Sequence, residues 1–195
     1  MKIESYKMPK SSFLSMEKDL ATISNLILKN KRIQKLLFHT TPTALDDRPL
    51  TEEEALGLFG EQIKIVPKIP IDKNVLNYVV IGFDTFTPNA TNTEFRDNLI
   101  TFDIVCHFDQ WQLKDFQLRP YRIAAEIDSM IDKQHLSGIG ELEFFGASQI
   151  ILNDEFGGVT IFYRAIHCDE DKKKMINPAD EEKFIQDFNE MYNGR

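Results

Sequence analysis

Between Asn98 and Lys133 the hydrophobic pattern of the chain changes period. Ile100, Phe102, Ile104, Cys106 and Phe108 are apolar, and Thr101, Asp103, His107 and Asp109 between them are polar, with Val105 the exception. Such a two-residue alternation predicts a half-buried strand with one wet face, as in an antiparallel-type sheet. After a link from Gln110 to Gln117, Tyr121, Ile123, Ala124, Ile127, Met130 and Ile131 recur at spacings of three and four. Arg122, Glu126, Asp128, Ser129, Asp132 and Lys133 fill the other side, so a helix is predicted that covers the apolar face of the strand.

Upstream, residues 1–14 read as a polar, irregular arm. Ser15 reads as the N-cap of a helix ending near Phe38, with Leu20, Ile23, Leu26, Ile27, Ile33, Leu36 and Leu37 along one stripe. A long connector, residues 40–60, carries Thr41-Pro42 and Asp46-Asp47-Arg48-Pro49. It ends in Thr51-Glu52-Glu53-Glu54, which has the form of a capping box opening a short helix to about Phe59. Gln62 to Pro70 alternates but holds two prolines, which makes it an edge strand or an extended arm. Asn74 to Phe86 is rich in β-formers and pairs in a hairpin with the strand that follows. The polar run Asn89 to Asn98 between them is expected to project as a loop, and Asn89, Thr91, Asn92 and Thr93 are candidate subunit contacts.

Ser137-Gly138-Ile139-Gly140 is a stop signal. Glu141–Leu152 and Val159–Cys168 read as a second hairpin turning through Asn153 to Gly158, with Gly146 marking a bulge. A charged tether, Asp169 to Lys174, leads to a last helix with Asn177 as N-cap and Pro178 at its first position. Phe184, Ile185, Phe188, Met191 and Tyr192 line one side of that helix. This apolar stripe packs either on its own domain or in a groove of a neighbouring copy, and its residues are candidate interface positions. The predicted class is α+β: a mainly antiparallel sheet of about four to five strands, helices on one face, and a C-terminal amphipathic helix. Residues 15–168 are expected to form a single domain, flanked by the 1–14 arm and the 169–195 tether and helix.

The composition, 42% hydrophobic and 28% charged over 195 residues, is that of a globular chain. Apolar runs such as Ile150-Ile151-Leu152 fall far short of the roughly 20 residues of a membrane span, so a soluble protein kept in a cytoplasm is expected, without a membrane partner. The net charge of −8 argues against a surface made for gripping nucleic acid. The basic run Lys172 to Lys174 is offset by Asp169, Glu170 and Asp171 and reads as a solvated linker. An acidic lumen, by contrast, lets a polyanion pass.

Cys106-His107 and His167-Cys168 invite a zinc reading, but neighbours on a strand point to opposite faces and no CxxC spacing is present. Two buried free thiols are expected instead, and no metal. Asp103, His107 and Asp109 share the wet face of the strand, which would align a base with an orienting carboxylate. Same-face neighbours lie about 6 to 7 Å apart, too far for direct bonds along the strand, and no nucleophile motif accompanies them. Neither phosphate-loop pattern occurs, and Gly138, Gly140, Gly157 and Gly158 read as turn glycines. No catalytic residue and no cofactor is expected.

With its elements in this order, the chain resembles the tail terminator (tail completion, head–tail joining) family of bacteriophage neck proteins. The resemblance spans about Ser15 to Cys168 and rests on the N-terminal helix, the hairpin, the strand end Ile104-Val105-Cys106-His107-Phe108, the helix Pro120-Tyr121-Arg122-Ile123-Ala124-Ala125-Glu126-Ile127-Asp128 and the closing hairpin. The long connector and the appended helix depart from the smaller members. The resemblance implies a virion structural protein, not an enzyme: a ring, usually a hexamer, that caps the tail tube and docks on the head connector while DNA passes through. Another connector or adaptor ring is the nearest alternative, and a small cytoplasmic enzyme or ligand-binding α+β domain the alternative of a different class.

Overall fold

The computed structural model describes residues 12–65, 77–88, 95–132, 135–136 and 140–168. Its main sheet has five strands. They are β1 (Ile63–Lys64), β2 (Asn77–Pro88), β3 (Phe95–His107), β6 (Glu143–Ile151) and β7 (Phe156–Cys168). Two-residue strands β4 (His135–Leu136) and β5 (Gly140–Glu141) form a separate ladder. The spatial order is β1-β2-β3-β7-β6, antiparallel throughout except for the parallel β1·β2 pair. The class is thus α+β with a mixed sheet.

The alternation of the central strand sets the two faces of this sheet. Ile100, Phe102, Ile104 and Cys106 are fully buried on the inner face, in one core with Val79, Ile81, Val159, Ile161 and Tyr163. Thr101, Asp103 and His107 take the other face. That outer face is not uniformly wet. Val105, the exception in the alternation, is buried there with Tyr78 and Phe156 in a small second cluster that Ile150 flanks. Phe108 leaves the apolar row: it opens a 3-10 turn, Phe108–Gln110, and is exposed.

Three helices cover the inner face: α1 (Ser12–Lys29), α2 (Lys31–Phe38) and α4 (Arg119–Ile131), while the short α3 (Glu52–Gly57) buries no residue. The single N-terminal helix expected from the stripe is in fact two. Asn30 takes an extended backbone and its side chain accepts from the N–H groups of Arg32 and Ile33, capping α2 and ending α1. Ser15 lies inside α1 rather than at its cap. The apolar stripe survives the break, with Ile23, Ile27, Ile33, Leu36 and Leu37 all fully buried. On α4, Ile123, Ile127 and Ile131 are buried as expected, whereas Tyr121 is half in solvent because Pro120 and Arg119 take the inward positions of the first turn.

The capping box forms as read. Thr51 Oγ1 accepts from the Glu54 N–H while the Glu54 carboxylate accepts from the Thr51 N–H. Arg48, bonded to the same carboxylate, holds the Glu54 pKa down at about 2, helped by that backbone bond.

Two hairpin details differ from expectation and a third agrees. The β3 ladder already runs at Phe95, with Asp97 opposite Thr87 and Asn98 opposite Phe86, because backbone pairing is indifferent to polar side chains. Gly157 and Gly158 are strand residues, not turn residues, and a Cβ at Gly158 would lie 1.7 Å from the Ile104 carbonyl oxygen, so close backbone approach requires glycine. Gly146 does sit at a register shift, the bulge its sequence context suggests.

Candidate functional site

Asp103 and His107, the residues of β3 singled out by the alternation, each have a partner in the fold. Asp103 accepts a hydrogen bond of 2.6 Å from Thr160 Oγ1 on β7. His107 Nδ1 accepts from the Asp109 N–H at 3.2 Å, and the Asp109 carboxylate lies 3.6 Å from the same nitrogen. Asp109 belongs to the 3-10 turn rather than to the wet face of the strand, a correction to the alternation read from sequence. Cys106 is buried in the inner core, and burial pushes its thiol up to about 12. The His107 ring packs edge-on against Phe156 in the outer cluster, 5.0 Å between centroids. The two neighbours therefore point apart, as strand geometry requires.

A groove of about 460 Å³ opens beside β2 where β1 ends, lined by Leu20, Ile65, Gly82, Phe83, Asp84 and Asp103 among others. It takes in Asp103 but neither His107 nor Asp109. Among the described residues its titratable lining is the pair of carboxylates Asp84 and Asp103.

The more telling surfaces are apolar. All of β6 is exposed or half-exposed on both faces, although it carries Phe144, Phe145, Ile150 and Ile151. Phe145 is 55% and Ile151 72% accessible. A strand with apolar side chains on both sides and little cover on either resembles an interface more than a sheet edge facing water. Its sequence signal was the failure of alternation: Phe144-Phe145 and Ile150-Ile151-Leu152 have no polar partner positions. A second such feature is Phe116, 93% accessible, on a turn where both Asp115 and Phe116 have φ near +60°. Left-handed backbone is rare for a bulky residue.

Arg119 rigidifies the frame behind these surfaces. Fully buried, it donates to four carbonyls, those of Gln110, Leu36, His39 and Thr41. It thus satisfies the last turn of α2, where orphan carbonyls accumulate, and fastens the connector to α4. The sequence gives no signal for it beyond a base where an acid is usual at a helix start.

The proposed contact residues, Asn89, Thr91, Asn92 and Thr93 of the loop and Phe184, Ile185, Phe188, Met191 and Tyr192 of the last helix, lie outside the described residues.

Comparison with protein families finds one model, YomW, matching residues 30–165, from the cap of α2 into β7. The chain belongs to the YomW family. YomW is a phage-derived family, and its match takes in the connector, the sheet and α4. No curated protein matches this YomW chain. Among solved structures, it is similar to a chain from the virion of a native gene transfer agent (GTA) particle, at 13% identity and a TM-score of 0.41. The alignment covers 56% of this chain and 80% of that one.

Proposed function

We propose that this protein is a structural component of a phage-type virion, a subunit of the neck ring that ends the tail tube and joins tail to head. The observation that carries the reading is β6, apolar and exposed on both faces, in a chain of a phage-derived family. A ring subunit needs a stiff body and surfaces that are completed by its neighbours. The sheet backed by helices supplies the first, and β6 and the Phe116 turn are offered as the second, beside the contact residues Asn89, Thr91, Asn92, Thr93, Phe184, Ile185, Phe188, Met191 and Tyr192 read from the sequence.

In this reading the subunits associate head-to-tail, as a hexamer, with the tail tube on one side and the head connector on the other. The net charge of −8 suits a channel that DNA crosses without sequence-specific grip. The protein assembles in the host cytoplasm and ends in the particle, and its work is positioning rather than catalysis.

The test is the mass of the full chain in solution by light scattering, together with negative-stain imaging, alone and with purified tail tubes. Rings at tube ends are the expected result. A protein that stays monomeric under every condition and leaves tube ends bare would overturn the reading.

A further inference from the structure

β6 ends the main sheet on the side away from β1, and its outer edge carries a row of backbone groups that is complementary to itself. From Gly146 to Ile151 its register with β7 is unbroken, since the shift at the bulge comes before Gly146. The Leu152 N–H bonds to Phe156, so Ile150 and Ser148 bond inward to β7, and the N–H and C=O groups of Ala147, Gln149 and Ile151 point outward. That edge stands in solvent: Ala147, Ser148 and Gln149 are exposed and Ile151 is 72% accessible. Among the described residues no strand lies beyond it. From Phe144 to Ile151 the strand holds neither a charge nor a proline, the common guards of an edge against pairing.

A twofold axis normal to the sheet and passing beside Gln149 matches these groups to those of a second copy. It sets Gln149 opposite the partner's Gln149 and Ala147 opposite the partner's Ile151, so all three outward residues fall in hydrogen-bonded pairs of one antiparallel ladder. Their side chains share the inner face with Val159 and Ile161, which keeps the helices of both copies on one side of the joined sheet. There a large side chain meets a small one at Ile151 and Ala147, and the Gln149 amide, both donor and acceptor, bonds to its own kind. Charge agrees as well. The axis brings the turn carrying Asp154 and Glu155 to the Phe144–Phe145 end of the other β6, where the Arg164 guanidinium lies 4.7 Å from the Phe145 ring. Arg164, Asp154 and Glu155 are all exposed, and among the described residues none of them has an ion pair. The twofold makes this contact twice.

We infer that the free protein is a twofold dimer in which the Ala147–Ile151 edges of two β6 strands pair antiparallel about Gln149, joining two five-stranded sheets into one. The contact is isologous and closes at two copies, so it goes beyond the ring reading and does not rest on it. Subunits that enter a ring through β6 do so by leaving this pair.

Full-length wild type and three variants test it by light scattering and by mild oxidation with diamide. Gln149→Pro removes the N–H at the centre of the pairing while sparing the β7 ladder, a place where edge strands accept proline. Gln149→Cys puts two thiols in a pair whose Cα atoms lie about 5.5 Å apart, within reach of a disulfide. Ala147→Cys puts them four residues out of step, about 13 Å apart and out of reach. The expected result is wild type at twice the 22.6 kDa chain mass, Gln149→Pro folded by circular dichroism and at the chain mass, and a covalent dimer from Gln149→Cys but not from Ala147→Cys or wild type. Should Gln149→Pro fail to fold, the two cysteine variants decide alone. A folded Gln149→Pro that dimerises like wild type, or a link through Ala147→Cys in place of Gln149→Cys, would overturn the inference. So would a monomeric wild type, and slow hydrogen exchange of the Gln149 and Ile151 amides in that monomer would show the chain's own residues 169–195 as the cover. Rings at tube ends without a Gln149→Cys link would overturn the dimer and leave the ring reading standing; a linked dimer that leaves tube ends bare supports the dimer and removes the ring.

Discussion

The guanidinium Nη1 of Arg119 donates to the Leu36 carbonyl at 2.5 Å, joining positions 83 apart in sequence. Three more carbonyls depend on the same side chain. Replacing it with Met leaves all four without that donor in a dry site, and loss of about 3 to 5 kcal/mol is expected. Arg119→Lys keeps the charge but lacks the planar fork that reaches three directions, so it should recover less than half of the loss. Urea denaturation of both variants measures this; an Arg119→Met midpoint equal to wild type would show that the connector holds without the latch.

Gly158 and Gly146 make an internal comparison. Gly158→Ala forces a Cβ onto the Ile104 carbonyl and pushes β3 and β7 apart, with an expected loss of about 3 kcal/mol or more. Gly146→Ala meets nothing within 4 Å and should fall within about 0.5 kcal/mol of wild type. Thermal melts of the two proteins side by side decide it.

Alkaline pH should unfold the protein through its buried acids. Burial raises Cys106 to about 12, and burial, then the bond to Asp128, raises Tyr163 as well. For a raised pKa the stabilisation is complete below the unfolded value and is lost as pH climbs toward the folded one. Between pH of about 9 and 12 an unfolded thiol has given up its proton and Cys106 has not, so stability falls by about 1.4 kcal/mol per pH unit from this group alone. Cys106→Val should flatten that slope by one proton. Chemical denaturation at pH 8 to 11 provides the measurement, and an unchanged slope would contradict the assignment.

The Phe116 turn predicts opposite effects on the monomer and on assembly. Phe116→Gly relieves left-handed backbone and deletes a side chain that is almost wholly in solvent, so stability should hold or rise by about 0.5 to 1 kcal/mol. If Phe116 contacts a neighbour, association weakens at the same time. Melting temperature and sedimentation on one sample separate the two.

The sequence made the centre of the fold readable and left its edges obscure. Ile100, Phe102, Ile104 and Cys106 alternate because β3 has a dry face and a wetter one, and Ile123, Ile127 and Ile131 repeat because α4 covers the dry one. Those periods come from burial, which the order of apolar and polar residues records. Asn30 was hidden inside a continuous apolar stripe, since a polar cap on the solvent side does not interrupt it. Gly157 and Gly158 looked like a turn because a need for backbone room leaves the same residue as a need for unusual φ. The four bonds of Arg119 arise from segments brought together only by the fold. For the surfaces, β6 did leave a trace in Phe144-Phe145 and Ile150-Ile151, but a strand apolar on both sides reads equally as deeply buried until its neighbours are known.

The strand order has a consequence for how the protein is made. β7, the last strand in the chain among those described, lies between β3 and β6, so β6 has no place in the sheet until β7 has left the ribosome. Until then the β3 edge and both sides of β6 stand bare together. The chain therefore completes its body only once residues 156–168 are available, through pairings of long sequence separation that form slowly. Chaperone demand and losses during overexpression should track the arrival of residues 156–168 rather than the stability of the finished fold.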